Sequence, residues 1–167
     1  MSVLSRDELR VALSASPALV EDVADDAVQP NGIDVSVERV DRLAAAGRLG
    51  RGAREAAERS TLQPDADGWW TLSPGPYVIG YRERVNLPND LMALARPRSS
   101  LLRSGVAIHT AVWDAGYSGR GEGLLMVANP HGYRLQRGAR VAQLVFFRLA
   151  SPVREGYEGR YQGEGGA

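Results

Sequence analysis

The sequence predicts a mainly β domain, an antiparallel barrel or jelly roll, with a short N-terminal helix and short helical segments. Three observations carry this. From Gly68 onward the runs WWTL, PYVIGY, ERVNL, LMALA, GVAIHTAV, GLLMVAN and VAQLVFFRL follow one another with Pro, Gly or Asn between them, the spacing of short strands joined by turns. The 167 residues, 44% of them hydrophobic, can bury one sizeable core, so residues 1–167 are expected to form a single domain. No internal repeat or domain linker interrupts them.

The elements follow in order. Within residues 1–17, Ser5 and Glu8 have capping-box spacing, Leu4 and Leu9 can form a hydrophobic staple, and Leu9, Ala12 and Leu13 share one face, so a helix is expected that stops by Pro17. QPNG then signals a turn, and the alternation in IDVSV, residues 33–37, predicts a strand. Residues 38–59 are rich in Ala, Arg and Glu and are interrupted by Gly47, Gly50 and Gly52; short helical turns in a surface segment are expected there. The β-rich runs come next. Residues 151–167 lose apolar periodicity and collect five glycines, the composition of a mobile C-terminal tail.

Composition excludes several chemistries. The sequence has no cysteine, which removes disulfides, thiolate zinc sites and cysteine nucleophiles. It also has no lysine, so all 20 basic side chains are arginines. Schiff-base catalysis and a lysine phosphate clamp are therefore ruled out, while bidentate arginine binding of phosphate is not. A biased genome composition is the simpler explanation of that arginine excess. Twenty acidic residues balance the basic ones, which argues against broad capture of nucleic acid or of an anionic membrane. No run approaches the roughly 18 apolar residues needed to cross a bilayer, and MSVLSRDELR carries acids where a secretory signal has an apolar core; a cytoplasmic protein is expected.

Three stretches can carry chemistry. RPRSSLLRSG, residues 96–105, places two guanidiniums and two hydroxyls, Arg98, Ser99, Ser100 and Arg103, within six residues. They can donate to phosphate oxygens, or they can be a turn entering a short helix with solvated arginines. TAVWDAGYSGRGEG, residues 110–123, reads as a hairpin with four glycines in its last eight positions. Glycines let a ligand approach the backbone, so such a hairpin can read a base through its N–H and C=O groups. Tyr117 offers a flat face to a sugar and Asp114 a general base, against the plain reading of an aspartate in a turn. In RGARVAQLVFF, residues 137–147, Gln143 either satisfies backbone groups or points at a ligand. His109 and His131 are the only imidazoles, too few for a multi-histidine metal cage.

Taken together, QPNGIDVSV, LSPGPYVIGYRERVNLPNDLMALARPRSSLLRSGV, VWDAGYSGRGEG, GARVAQLVF and RYQGEG resemble the dCTP deaminase and dUTPase superfamily, in its deaminase-like branch containing archaeal-type dUTPases, from about residue 4 to the C-terminus. The resemblance implies a distorted jelly roll of the dUTPase-like β-clip type, assembled as a homotrimer with active sites at subunit interfaces. It implies phosphate-holding roles for Arg98, Ser99, Ser100 and Arg103, a catalytic role for Asp114, and packing of Tyr117 on deoxyribose. It also places Ala111 and Gln143 in the substrate site, and Tyr157, Arg160 and Gln162 in a tail that closes over the triphosphate.

The resemblance leaves two reactions, and one position separates them. Deaminases of this kind carry a proton-shuttling glutamate three residues before the asparagine that ends the strand after the hairpin. In LLMVAN that place is Met126, and a thioether transfers no proton. Glu122, the nearby carboxylate, would need a four-residue register slip to substitute. The hairpin is also one residue shorter than the deaminase pattern between Ala111 and Asp114. Hydrolysis of dUTP to dUMP and pyrophosphate needs only a base to orient water at the α-phosphorus, magnesium carried mainly by the substrate phosphates, and arginines. The expected activity is thus a dUTP diphosphatase. The alternatives are a dCTP deaminase, alone or bifunctional, and a non-catalytic nucleotide-binding jelly roll.

Overall fold

The computed structural model describes residues 2–165. The capping box forms as expected: the Ser5 side chain accepts the Glu8 N–H at 3.5 Å, the Glu8 carboxylate accepts the Ser5 N–H at 2.9 Å, and the helix Arg6–Leu13 follows. Leu4 and Leu9 are buried beneath it. This helix closes one end of the core, and Leu4 is tied to the last strand by its N–H to the Phe146 carbonyl at 3.0 Å.

Every run read as β contains a strand. Trp69–Leu72, Gly75–Tyr81, Arg84–Asn86, Leu91–Pro97, Val106–His109, Glu122–Val127 and Arg140–Arg148 all pair antiparallel. In the largest sheet the order runs from the N-terminal Ser2–Val3 through Arg140–Arg148, Gly32–Leu43, Gly75–Tyr81 and Glu122–Val127 to Val106–His109, with Leu91–Pro97 also pairing to Arg140–Arg148. The alternation rule fixes the registers, since a one-residue slip would turn each apolar set to solvent. Ile33, Val35, Val37, Ile79, Leu125, Leu144 and Phe146 point inward and are buried.

One strand organises the rest. Gly32–Leu43 pairs with Arg140–Arg148 through its first half and with Gly75–Tyr81 through its second, with a register shift between Val37 and Arg39. Such an irregularity bends and twists a strand, and here it lets one strand serve both halves of the rolled sheet.

The helical turns expected over residues 38–59 are not formed. The strand continues to Leu43, and Arg48–Leu49, Arg54–Glu55 and Arg59–Thr61 are short strands. Ala, Arg and Glu favour helix by propensity, but Val40 is wholly buried and Asp41 nearly so. Residues 39–42 are paired to Gly75–Tyr81 on one side, while 41–43 pair to Arg59–Thr61 on the other. Ladder bonds and burial on both flanks outweigh tenths of a kcal/mol of intrinsic preference per residue.

Candidate functional site

The hairpin expected at 110–123 forms as a turn whose arms pair outward, Trp113 with Ala93 and Ser118–Gly119 with Val85–Asn86, rather than with each other. Trp113 exchanges both backbone hydrogen bonds with Ala93, at 3.0 and 3.1 Å. The Tyr117 N–H then donates to the Asp114 carbonyl at 3.1 Å, and Gly116, at φ +83°, supplies the left-handed position that turn requires. Trp113, Ala115 and Tyr117 point inward and Asp114 outward. The result is an exposed carboxylate beside a buried phenol ring, both lining a cavity of about 180 Å³ that Ala111 and Glu122 share.

The tail completes this cavity. Residues 151–165 contain neither helix nor strand, yet the segment from Tyr157 onward lies along the hairpin. The Tyr157 N–H donates to the Ala115 carbonyl (2.8 Å), the Gly163 N–H to the Ser118 carbonyl (2.7 Å), and the Arg120 N–H to the Glu164 carbonyl (2.9 Å). Tyr157 meets the Tyr117 ring edge-on at 5.8 Å, and the Tyr117 hydroxyl donates to the Glu164 carboxylate at 2.9 Å. Burial and the neighbouring Glu164 push the Tyr117 phenol well above its ordinary range, so it remains the donor. Burial also raises Glu164, helped by Glu122 and opposed by the Tyr117 hydrogen bond. Gln162 reaches the hairpin backbone, whereas Arg160 is exposed. Positions 166 and 167 of the expected tail lie outside the described residues.

The serine pair lies elsewhere. Ser99 and Ser100 open the short helix Ser99–Arg103 and are exposed, as is Arg103, with Arg98 at the N-cap. The Arg98 N–H donates to the Val141 carbonyl at 2.9 Å, and its guanidinium lies 3.3 Å from Asp34. The stretch is a turn into a short helix, with Arg98 held against Asp34 and with Ser99, Ser100 and Arg103 exposed. Strand Leu91–Pro97 separates it from the hairpin, because Ala93 is the residue paired to Trp113. Six residues at about 3.3 Å each put the serine pair roughly 20 Å from Asp114 in one chain. The cavity that Asp114 lines includes none of Arg98, Ser99, Ser100 or Arg103.

Asp34, beside Arg98, is a candidate residue that no motif in the sequence marked. It is 3% exposed, faces Gln143 in the strand register, and accepts from the Gln29 side chain at 3.3 Å. Desolvation raises its carboxyl above the usual range, against the pull of Arg98 and Arg140. Alternation with Ile33, Val35 and Val37 puts Asp34 on the other face of the strand, which the pattern reads as solvent, so nothing local in IDVSV marked its burial. Gln143 is half-buried and packs over Gly32.

The carboxylate question at the strand after the hairpin has a geometric answer. Met126 lies in register with Ala107 and Pro76, and Glu122 with Gly80. The two share a face, about 13 Å apart. Glu122 is also committed elsewhere: it forms ion pairs with Arg39 and with Arg59, the latter at 2.7 Å, while Arg39 reaches Asp41 at 2.8 Å. With the register held by buried Leu125 and Val127, Glu122 does not slip into the place of Met126. His109 and His131 are both exposed, and among the described residues no three His, Asp or Glu side chains converge as a metal cage.

Comparison with known proteins agrees with this architecture. The dCTP deaminase-like family matches residues 3–149, and the chain belongs to that family. Within it, a protein of Methanococcoides burtonii is 42% identical over 98% of this chain and 99% of its own, and one of Archaeoglobus fulgidus is 45% identical over 98% of each. Both are named "Probable deoxyuridine 5'-triphosphate nucleotidohydrolase". Among solved structures, the 2'-deoxycytidine 5'-triphosphate deaminase of Agrobacterium tumefaciens superposes with a TM-score of 0.67 at 24% identity over 89% of this chain. The matched region is 48% of that deaminase chain, so the likeness concerns the fold.

Proposed function

We propose that this chain is a dUTP diphosphatase that releases dUMP and pyrophosphate. The observation that carries the reading is the pairing of an exposed carboxylate, Asp114, with a buried aromatic, Tyr117, on one hairpin, while the strand that follows offers Met126 where a deaminase needs an acid. The names of the full-length relatives support the same substrate.

In this reading Asp114 orients and deprotonates the water that attacks the α-phosphorus. Tyr117 packs on deoxyribose, where a 2'-hydroxyl would clash, and hairpin backbone groups match the uracil O4 and N3–H. A cytosine amine would leave those groups unpaired. The roughly 20 Å between Asp114 and the serine pair of one chain supports sites shared between copies in a homotrimer, with Arg98, Ser99, Ser100 and Arg103 of one copy facing the hairpin of another. Asp34 then acts as a positioning residue that holds Arg98. Tyr157, Arg160 and Gln162 belong to the closing tail, and Gln143 backs the phosphate side through its pairing with Arg96 and Asp34. Magnesium fits this donor set as an ion carried by the triphosphate rather than by a protein cage; it would supply charge neutralisation.

Incubation of the pure protein with dUTP or dCTP and magnesium, with products resolved by chromatography, tests the proposal. Pyrophosphate from dUTP and no ammonia from dCTP is expected. Ammonia from dCTP would make it a deaminase, and no product from either would make it a binding protein.

A further inference from the structure

The contact between Gln162 and the hairpin has a chemistry of its own. The Gln162 carbonyl oxygen accepts the Ser118 N–H at 2.9 Å, and its amide nitrogen donates to the Gly116 carbonyl at 2.9 Å. A carboxamide presents an acceptor and an N–H donor side by side on one planar group. The O4–C4–N3–H edge of uracil presents the same two functions in the same order and at the same covalent separation, whereas cytosine inverts both.

The remaining tail contacts hold this amide in place. They run along one edge of the hairpin's return arm: Ser118 and Arg120 engage Gly163 and Glu164 by backbone hydrogen bonds, while the opposite edge is taken by Val85 and Leu87. Close approach depends on missing side chains. A Cβ on Gly116 would lie 2.5 Å from the Gly156 Cα, and one on Gly119 would lie 2.6 Å from the Tyr117 hydroxyl and 3.2 Å from the Glu164 nitrogen. With the tail seated, the cavity beside Asp114 and Tyr117 measures about 180 Å³, below the roughly 300–1,000 Å³ of sites that enclose a drug-sized ligand. Gly116 and Ser118 border a separate cavity of about 500 Å³, but with Gln162 bonded to both of their backbone groups a base that pairs with them requires the tail to shift.

We propose that Gln162 is an intramolecular competitor of the base: in the unliganded chain its carboxamide occupies the Gly116 carbonyl and Ser118 N–H as a surrogate for the uracil edge, and substrate enters by displacing it. The proposal rests on the hairpin being the base site. It makes Gly116 and Ser118 the groups that select an imide edge, and it gives the tail an inhibitory role before any role in closing over phosphates.

Binding of dUMP tests this, because dUMP carries the base but not the outer phosphates that a closing tail would grip. Calorimetric titration of the full-length assembly and of its Gln162→Ala variant should give about tenfold tighter binding to the variant, the scale set by losing two competing neutral hydrogen bonds. In the wild type, dUMP should also speed tryptic cleavage after Arg160, since the displaced tail is exposed. Equal or weaker dUMP binding by Gln162→Ala overturns the proposal while leaving the site reading intact. If neither protein binds dUMP and neither hydrolyses dUTP, the reading of the hairpin as a base site falls with it. A Gln162→Met variant guards against a packing artefact: it keeps the size but removes both the acceptor for the Ser118 N–H and the donor to the Gly116 carbonyl, so it must also bind dUMP more tightly than wild type, and wild-type affinity there refutes the surrogate.

Discussion

Replacing Tyr117 by Phe keeps the ring and removes one oxygen, which isolates what holds the tail. The edge contact with Tyr157 at 5.8 Å survives, and so do the backbone bonds from Tyr157, Gly163 and Arg120. What is lost is the hydroxyl donating to the Glu164 carboxylate at 2.9 Å. Hydrogen bonds to charged groups contribute about 1.5–3 kcal/mol. Glu164 is half-buried, so water replaces part of the bond, and a net loss of about 1.4 kcal/mol, tenfold in tail closure, is expected. Limited trypsin digestion reads this directly: the chain has no lysine, and cleavage after Arg154 and Arg160 requires the segment to leave the hairpin. Tyr117→Phe should raise the rate of tail cleavage about tenfold while the thermal midpoint of the core moves by only a few degrees. A wild-type cleavage rate would refute the argument, because the hydroxyl would then contribute nothing measurable to holding the tail.

Three further outcomes are expected. Asp114→Asn should abolish dUTP turnover and leave binding of a non-hydrolysable dUTP analogue nearly unchanged; preserved turnover removes Asp114 as the base. Asp34→Asn frees Arg98 from its 3.3 Å ion pair, and steady-state kinetics should show a roughly tenfold rise in KM for dUTP with a smaller change in kcat, the signature of lost positioning of a binding group; an unchanged KM would separate Arg98 from the substrate. Glu83 is 4% exposed, and although it accepts the Ser36 N–H at 2.7 Å, burial raises its carboxyl above the ordinary 4.5. The folded chain therefore binds this proton more tightly than the unfolded one, and the stability it confers below pH 4.5 is lost as pH rises through the raised value. The melting-temperature advantage of Glu83→Gln over wild type should grow from acid to neutral pH, and a constant difference would count against the assignment.

The strands were legible because burial on one face writes itself into alternation: VAQLVFFRL and GLLMVAN each have a buried set that no helical period explains. The capping box was legible because its two residues are local. Residues 38–59 were not, since their Ala and Arg content speaks for helix, while the ladders on either side of Val40 are supplied by segments 20 to 40 residues away. The two halves of the candidate site were each visible as motifs, yet their separation within one chain was not, because it depends on Ala93 pairing with Trp113 rather than on any spacing in RPRSSLLRSG. The docking of Gln162 on Ser118 was likewise hidden: a glutamine among glycines carries no periodic signal, and its partners are main-chain atoms.

The strand Gly32–Leu43 has one more consequence. It carries Asp34, which grips Arg98, and five residues later Arg39, which grips Glu122 at the base of the hairpin. In the proposed site, the spacing between the Arg98 end and the hairpin end of a copy is therefore a covalent length, about 17 Å of extended chain, held by Arg140–Arg148 along its first half and by Gly75–Tyr81 along its second. A nucleotide cannot pull the two together within one chain. Under the proposed sharing of sites, each copy is a ruler with a different tool at either end, and neighbouring rulers laid end to end would complete a site, so catalytic competence would be a measure of assembly itself.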